Sequence, residues 1–302
     1  MLYLNITIKE RRFNMLITIK NDKITLSADT LGAQLMSIKG DCEYLWQGDP
    51  AYWRNRAPNL FPFIARLTDG AYTYMGKRYE MPNHGFAGKL EFEAKAEESR
   101  VVFTLNANDE TREMYPFNFV YEVIYELVDN KVLITYAVEN KDDKRIYFAV
   151  GGHPGFCVPL EDGKNFEDYY LEFSAPTTPD RVGFSPSVFL NGKDEQYPLQ
   201  DGTVLPLKHE LFDDDAIILK NMAREVSLKA NGGKHGLTVT YPDMPYLGIW
   251  HRPKSDAPYV CIEPWSSLPS REGIVEEFTC KSDLLHLDAG SRYESVWSVT
   301  LF

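Results

Sequence analysis

The chain has 302 residues, 44% of them hydrophobic and 25% charged, and a formal net charge of −12. That acidity argues against nucleic acid or an anionic membrane as partner, since both require a positive field. Four cysteines (Cys42, Cys157, Cys261 and Cys280) lie far apart with no C-x-x-C pair. This is neither a disulfide scaffold nor a zinc ribbon, and it reads as reduced thiols in a cytoplasmic protein.

The opening Met1-Leu-Tyr-Leu-Asn-Ile-Thr-Ile-Lys holds an apolar stretch too short and interrupted for a signal peptide or a membrane span. Met15 begins the more regular Leu-Ile-Thr-Ile-Lys, so residues 1–14 can be an N-terminal extension from an upstream start. Beyond it, period-2 segments rich in Val, Ile, Tyr and Phe predict strands over Met15–Lys20, Val101–Leu105, Val120–Leu127, Val132–Val138 and Ile146–Val150. More follow over Ala216–Lys220, Glu225–Lys229, Leu237–Tyr241 and Tyr293–Phe302. Val-Asp-Asn-Lys between Leu127 and Val132 reads as a tight hairpin turn, and Gly76 marks another. Short helical turns are expected around Ala51–Arg56, Asn165–Tyr169 and Asp283–Leu287. Long 3.6-period stretches, linkers and repeats are absent, so residues 15–302 are expected to form one antiparallel β-domain, a sandwich or a large barrel.

Three places carry chemistry. His84 sits between Asn83 and Gly85 in a turn-forming run, where a ligand and a surface or capping residue are about equally good readings. His153, in Gly151-Gly152-His153-Pro154-Gly155, follows an apolar strand. The glycines allow unusual backbone angles and close approach of a ligand, and Pro154 holds His153 extended. That constraint around one group titrating near neutrality favours function over an incidental turn histidine. Glu263 ends an apolar strand, where a carboxylate is costly unless paired; desolvation would raise its pKa toward that of a general base, and a salt bridge at the sheet margin is the plainer alternative. Trp265 could wall the site. Arg66 closes a proline-punctuated aromatic loop, and Asp215 ends the Asp213-Asp214-Asp215 run beside a strand; by themselves they suit a surface arginine and a solvated turn. No Walker A loop, G-x-G-x-x-G, G-x-S-x-G or H-E-x-x-H occurs, which lowers the odds of a nucleotide enzyme, a serine hydrolase or a zincin.

The runs N-H-G-F-A (83–87), G-G-H-P-G-F (151–156), D-A-I-I-L (215–219) and C-I-E-P-W (261–265), in that order, resemble the aldose 1-epimerase (galactose mutarotase-like) superfamily, and look closest to its LacX-like branch. The similarity extends from about Met15 to Phe302 and includes Tyr115-Pro-Phe and Tyr246-Leu-Gly-Ile-Trp250. The resemblance implies an all-β fold, a single large antiparallel β-sandwich (a supersandwich) with a sugar cleft on one face. It implies an isomerase that interconverts the α and β anomers of a free hexose with no metal and no cofactor. By the same resemblance Glu263 is the general base and His153 the general acid, while His84, Arg66 and Asp215 bind substrate; Trp265 joins them as a substrate-binding wall on the reading of the residues alone. A small-molecule sugar is then the partner of a monomer or homodimer.

Related hexose-6-phosphate 1-epimerases carry an Arg directly after H-G-F-A; here Gly88 and Lys89 follow. Losing a two-pronged phosphate donor favours an unphosphorylated sugar, although Lys89, Arg56 or Arg271 could substitute. Two other classes stand behind the enzyme reading. One is a non-catalytic carbohydrate-binding protein on the same fold. The other is a metal site made by His84, His153 and Glu263, which the wide separation of the histidines disfavours.

Overall fold

The computed structural model describes residues 15–302. The expected N-terminal extension, residues 1–14, lies outside them. Among the described residues two large antiparallel sheets dominate, one of nine strands and one of eight, accompanied by a three-stranded sheet and two small ribbons.

The nine-stranded sheet is built on its longest strands, Phe119–Val128, Lys131–Asn140 and Arg292–Leu301. They alternate as the period-2 reading requires: Tyr121, Val123 and Tyr125 point inward, as do Val132, Ile134, Tyr136, Trp297 and Val299, all within 2% exposure. The hairpin Val128-Asp129-Asn130-Lys131 pairs Val128 with Lys131, and Asp129 takes the left-handed φ of 53° that a two-residue loop needs. Gly76, at φ 74°, makes the equivalent turn between Ala71–Tyr74 and Lys77–Glu80.

The eight-stranded sheet positions the chemistry. Ile217–Lys220, Tyr246–Trp250 and Tyr259–Trp265 lie side by side, followed by the short Gly151–Gly152 and Asn59–Leu60. Tyr259–Trp265 is buried on both faces. Val260 and Ile262 join the core between the sheets, while the opposite face carries Tyr259, Cys261, Glu263 and Trp265. A buried polar chain ties the two sheets together: Tyr136 Oη donates to Asn59 Oδ1, and Asn59 Nδ2 donates to Tyr125 Oη, at 3.0 Å each.

Two local expectations change, and one helix appears that the sequence reading does not contain. Leu285–Leu287 is a strand paired with Ile146–Phe148, because its alternating Leu-His-Leu finds a partner across the sequence that no local pattern reveals. Ala51–Arg56 forms irregular turns. Asp109–Met114 is an α-helix, closed by a reciprocal cap in which Thr111 N donates to Asn108 Oδ1 and Asn108 N donates to Thr111 Oγ1. The third short turn, Phe166–Asp168, is a 3-10 helix inside the expected Asn165–Tyr169 segment.

Candidate active site

Register brings the two central residues together. Along the ladder on one side of Tyr259–Trp265, Gly151 pairs with Trp265 and Gly155 with Cys261. Two residues inward from either pair lie His153 and Glu263, directly opposite one another on the same face. The imidazole Nδ1 is 3.3 Å from Glu263 Oε1, and the two side chains are 12% and 2% exposed. On the other side of the strand Gly248 pairs with Glu263, so no side chain competes for the room above the carboxylate. A methyl group at Gly248 would sit 3.2 Å from Glu263 Cβ and 3.4 Å from its Cδ.

The pair forms the floor of a cleft of about 590 Å³, within the size range of small-molecule pockets. Trp53 stacks on His153 at 4.8 Å and 28°, and Trp250 meets it edge-on at 5.6 Å and 90°. His84 approaches from the other side, its ring 5.4 Å from His153 and 6.2 Å from Trp265. Arg66, Lys89, Asp215 and Trp265 also line the cleft. The six residues singled out in the sequence therefore all line one cavity.

His84 is held in a left-handed conformation, φ 62°, by a reciprocal clasp with Ala65. His84 N donates to Ala65 O at 3.0 Å, and Ala65 N donates to His84 Nδ1 at 3.1 Å. With Nδ1 accepting, a neutral ring carries its proton on Nε2. Burial, then the charges of Arg66 and Lys89, push His84 down to about 4, so it is neutral near pH 7. Gly85 is required beside it: at φ 74° a Cβ would fall 2.1 Å from Phe61 O.

Asp215 also has a positive φ, 86°, and its Oδ1 accepts the N–H of Ala216 at 2.9 Å. Burial pushes the Glu263 carboxyl well above the usual carboxylate range, and Asp215 adds to the rise. Burial holds His153 well below an ordinary imidazole, and His84 reinforces this. Glu263 Oε2, His153 Nδ1 and Trp265 Nε1 are buried without a hydrogen-bond partner among the described residues. Orphaned polar atoms of this kind are uncommon in folded proteins, and three in one cavity mark it as a place where a ligand completes the bonding.

Several sequence readings are refined here. Gly151 and Gly152 have no positive φ; they are needed for space, since a Cβ on Gly152 would lie 2.8 Å from the Trp297 ring. Glu263 lies within its strand, two residues before the end. Arg56 donates to Met36 O and Gln47 Oε1, and Arg271 holds Glu276 with two nitrogens; neither lines the cleft, whereas Lys89 does. The sequence does not announce Trp53 and Gly248 as parts of the site, nor Cys261 as the residue beneath it. Gly248 lies in the run Tyr246–Trp250 and Cys261 opens C-I-E-P-W, and only cross-strand register reveals what they face.

An antiparallel β-sandwich with this cleft on one sheet defines a galactose mutarotase-like fold. Residues 15–277 match the aldose 1-epimerase family. The chain is 34% identical over 294 residues to the plasmid-encoded protein LacX of Lactococcus lactis subsp. lactis, covering 92% of this chain and 97% of that one. Its structure superposes with a TM-score of 0.91 on a galactose mutarotase related enzyme from Lactobacillus acidophilus, at 34% identity over 95% of this chain and 97% of that one. A galactose mutarotase-like protein from Lactobacillus casei gives 0.90 at 34% identity, covering 95% and 100%. The chain belongs to the aldose 1-epimerase family.

Proposed function

We propose that this protein is an aldose 1-epimerase that interconverts the α and β anomers of a free hexose by general acid–base ring opening and closure. The observation that carries the reading is the His153–Glu263 pair at 3.3 Å on the cleft floor, with unpartnered polar atoms on both side chains.

The chemistry follows from proton count. Glu263 as carboxylate removes the proton from the C1 hydroxyl while protonated His153 delivers one to the ring oxygen. The C1–O bond to the ring breaks, leaving an aldehyde and a free hydroxyl, a protonated Glu263 and a neutral His153. Rotation about C1–C2 presents the other carbonyl face. The ring hydroxyl then attacks, returning its proton to His153 as Glu263 gives its own back to the C1 oxygen. One proton is shared by the pair throughout. Burial favours the neutral forms of both groups, which are those present after ring opening.

His84 Nε2–H is suited to donate to a sugar oxygen, Arg66 likewise, and the Asp215 carboxylate to accept from a ring hydroxyl. Trp53 and Trp250 offer flat faces to the C–H groups of a pyranose. Four unpaired cysteines agree with a reducing compartment, so a cytoplasmic site of action is part of this reading. No helix among the described residues is long and apolar enough to cross a membrane.

Lys89 supports one second reading, a hexose 6-phosphate as substrate, because it lines the cleft with Arg66. Anomer exchange measured by NMR or polarimetry against a panel of free and 6-phosphorylated aldoses tests both. Acceleration of a free aldose is expected; acceleration restricted to phosphorylated sugars selects the second reading, and none at all refutes the enzyme.

A further inference from the structure

Beneath the acid–base pair lies a residue the proposed reaction does not use. Cys261 precedes Glu263 by two positions on the same strand and so faces the same side, fully buried in a cluster with Trp46 and Tyr259, against which Trp53 and Trp250 pack. One ligand atom each from His153, Cys261 and Glu263 lies within 4.8 Å of the others. Register explains the convergence. Cys261 pairs with Gly155, which has no side chain to stand between the thiol and His153 two residues away.

We infer that His153 Nδ1, Cys261 Sγ and Glu263 Oε1 form an inhibitory Zn2+ site, in which the metal occupies the cleft floor and competes with the sugar.

The donor set is that of zinc: one imidazole, one thiolate and one carboxylate, with the fourth tetrahedral position open to the cleft. Zn–N and Zn–O bonds of about 2.0–2.1 Å in a tetrahedron place the nitrogen and oxygen about 3.3 Å apart. The observed separation is 3.3 Å. A Zn–S bond of about 2.3 Å then asks the sulfur to close by roughly 1 Å, within reach of small side-chain rotations. His153 Nδ1 is free to bind because no protein hydrogen bond occupies it, whereas the Nδ1 of His84 is taken by Ala65 N. His84 therefore does not complete this site; Cys261 does.

Charge balances as well. The thiol loses its proton on coordination, the pair gives up the one it shares, and two protons pass to solvent. Two anionic ligands then neutralise the 2+ ion in a site that water barely reaches. A metal held there takes both the base and the acid of the proposed reaction. Inhibition rests on that reading; binding does not.

The test uses the full-length protein freed of metal by chelation, with Co2+ as a spectroscopic stand-in and Zn2+ as the competitor. Co2+ should give a thiolate charge-transfer band in the near ultraviolet that Zn2+ abolishes. Cys261→Ser and Cys261→Ala should both lose the band, weaken Zn2+ binding at least 100-fold in calorimetry, and keep the anomer-exchange rate of the metal-free enzyme. The band should also fade as a substrate sugar is added. No band in the parent protein, or Zn2+ binding unchanged in both variants, overturns the site. If the metal-free enzyme fails to accelerate anomer exchange while the band remains, the epimerase reading fails and the metal site stands.

Discussion

Replacing Glu263 by Gln keeps the side chain's size and removes its capacity to take a proton. A positioned general base typically contributes about 10²–10⁴-fold, or about 3–5 kcal/mol of transition-state stabilisation, and the rate of anomer exchange should fall by that factor. Because Glu263 and His153 hand one proton between them, their losses should not add. Glu263→Gln combined with His153→Asn is expected to be about as slow as the worse single variant. The same substitution has a thermodynamic signature. Burial lifts the folded-state pKa of Glu263 above its ordinary 4.5, so the folded protein holds the proton more tightly than the unfolded chain. The native enzyme therefore loses stability as pH rises from 4.5 through the raised value, and the Gln variant escapes that loss. Its melting temperature should exceed the parent's near pH 7 and approach it near pH 4.5. NMR exchange spectroscopy on a free aldose supplies the rates and calorimetry the melting points. A variant that keeps the parent rate while still binding sugar removes Glu263 from the base role. A stability difference that does not vary with pH refutes the account of its burial.

The pair's pH dependence is a second test: a second proton must charge an imidazole that burial and His84 hold below its ordinary 6.5, so the acid limb of the rate profile should lie below pH 6.5. An acid limb at or above that value contradicts the site's electrostatics. Gly248→Ala introduces a methyl group 3.2 Å from Glu263 Cβ and should displace the carboxylate from His153. We expect kcat to fall about 10²-fold, as for a misplacement of about 1 Å, with KM little changed and a stability cost of about 1–3 kcal/mol. Lys89→Ala should change kcat/KM for a free aldose by less than about fivefold, the effect of ~1 kcal/mol from an exposed charge. A larger loss confined to 6-phosphorylated sugars, read from the same exchange assay, would instead favour the phosphate reading.

Strands such as Phe119–Val128 and Lys131–Asn140 were legible because one face of each is buried and the other is not, so their sequences alternate. The site residues were legible for a different reason. A carboxylate in an apolar strand and a histidine pinned between glycine and proline each contradict their surroundings, and such contradictions point to candidate functional places. What could not be read was contact across the chain. Leu285–Leu287 looked like a turn because its partner, Ile146–Phe148, is remote in sequence. Trp53 lies on an irregular segment, Ala51–Arg56, whose own residues do not announce that its ring will cover His153. The two glycines before His153 suggest unusual backbone angles, whereas what they supply is room for the rings of Trp297 and Trp265. Packing of that kind is a property of facing surfaces, and one strand at a time does not contain it.

The placement of His153 opposite Glu263 by ladder register couples folding to chemistry more tightly than a loop-borne site would. Side chains alternate with period two, so a slip of one residue between these strands would turn one of the two groups to the opposite face, away from the cleft and from its partner. No partly correct sheet can hold the pair at 3.3 Å. On the proposed reaction, rate is therefore a reporter of strand alignment along the ladder between Tyr259–Trp265 and Gly151–Gly152, and recovery of activity on refolding would time the moment that ladder locks.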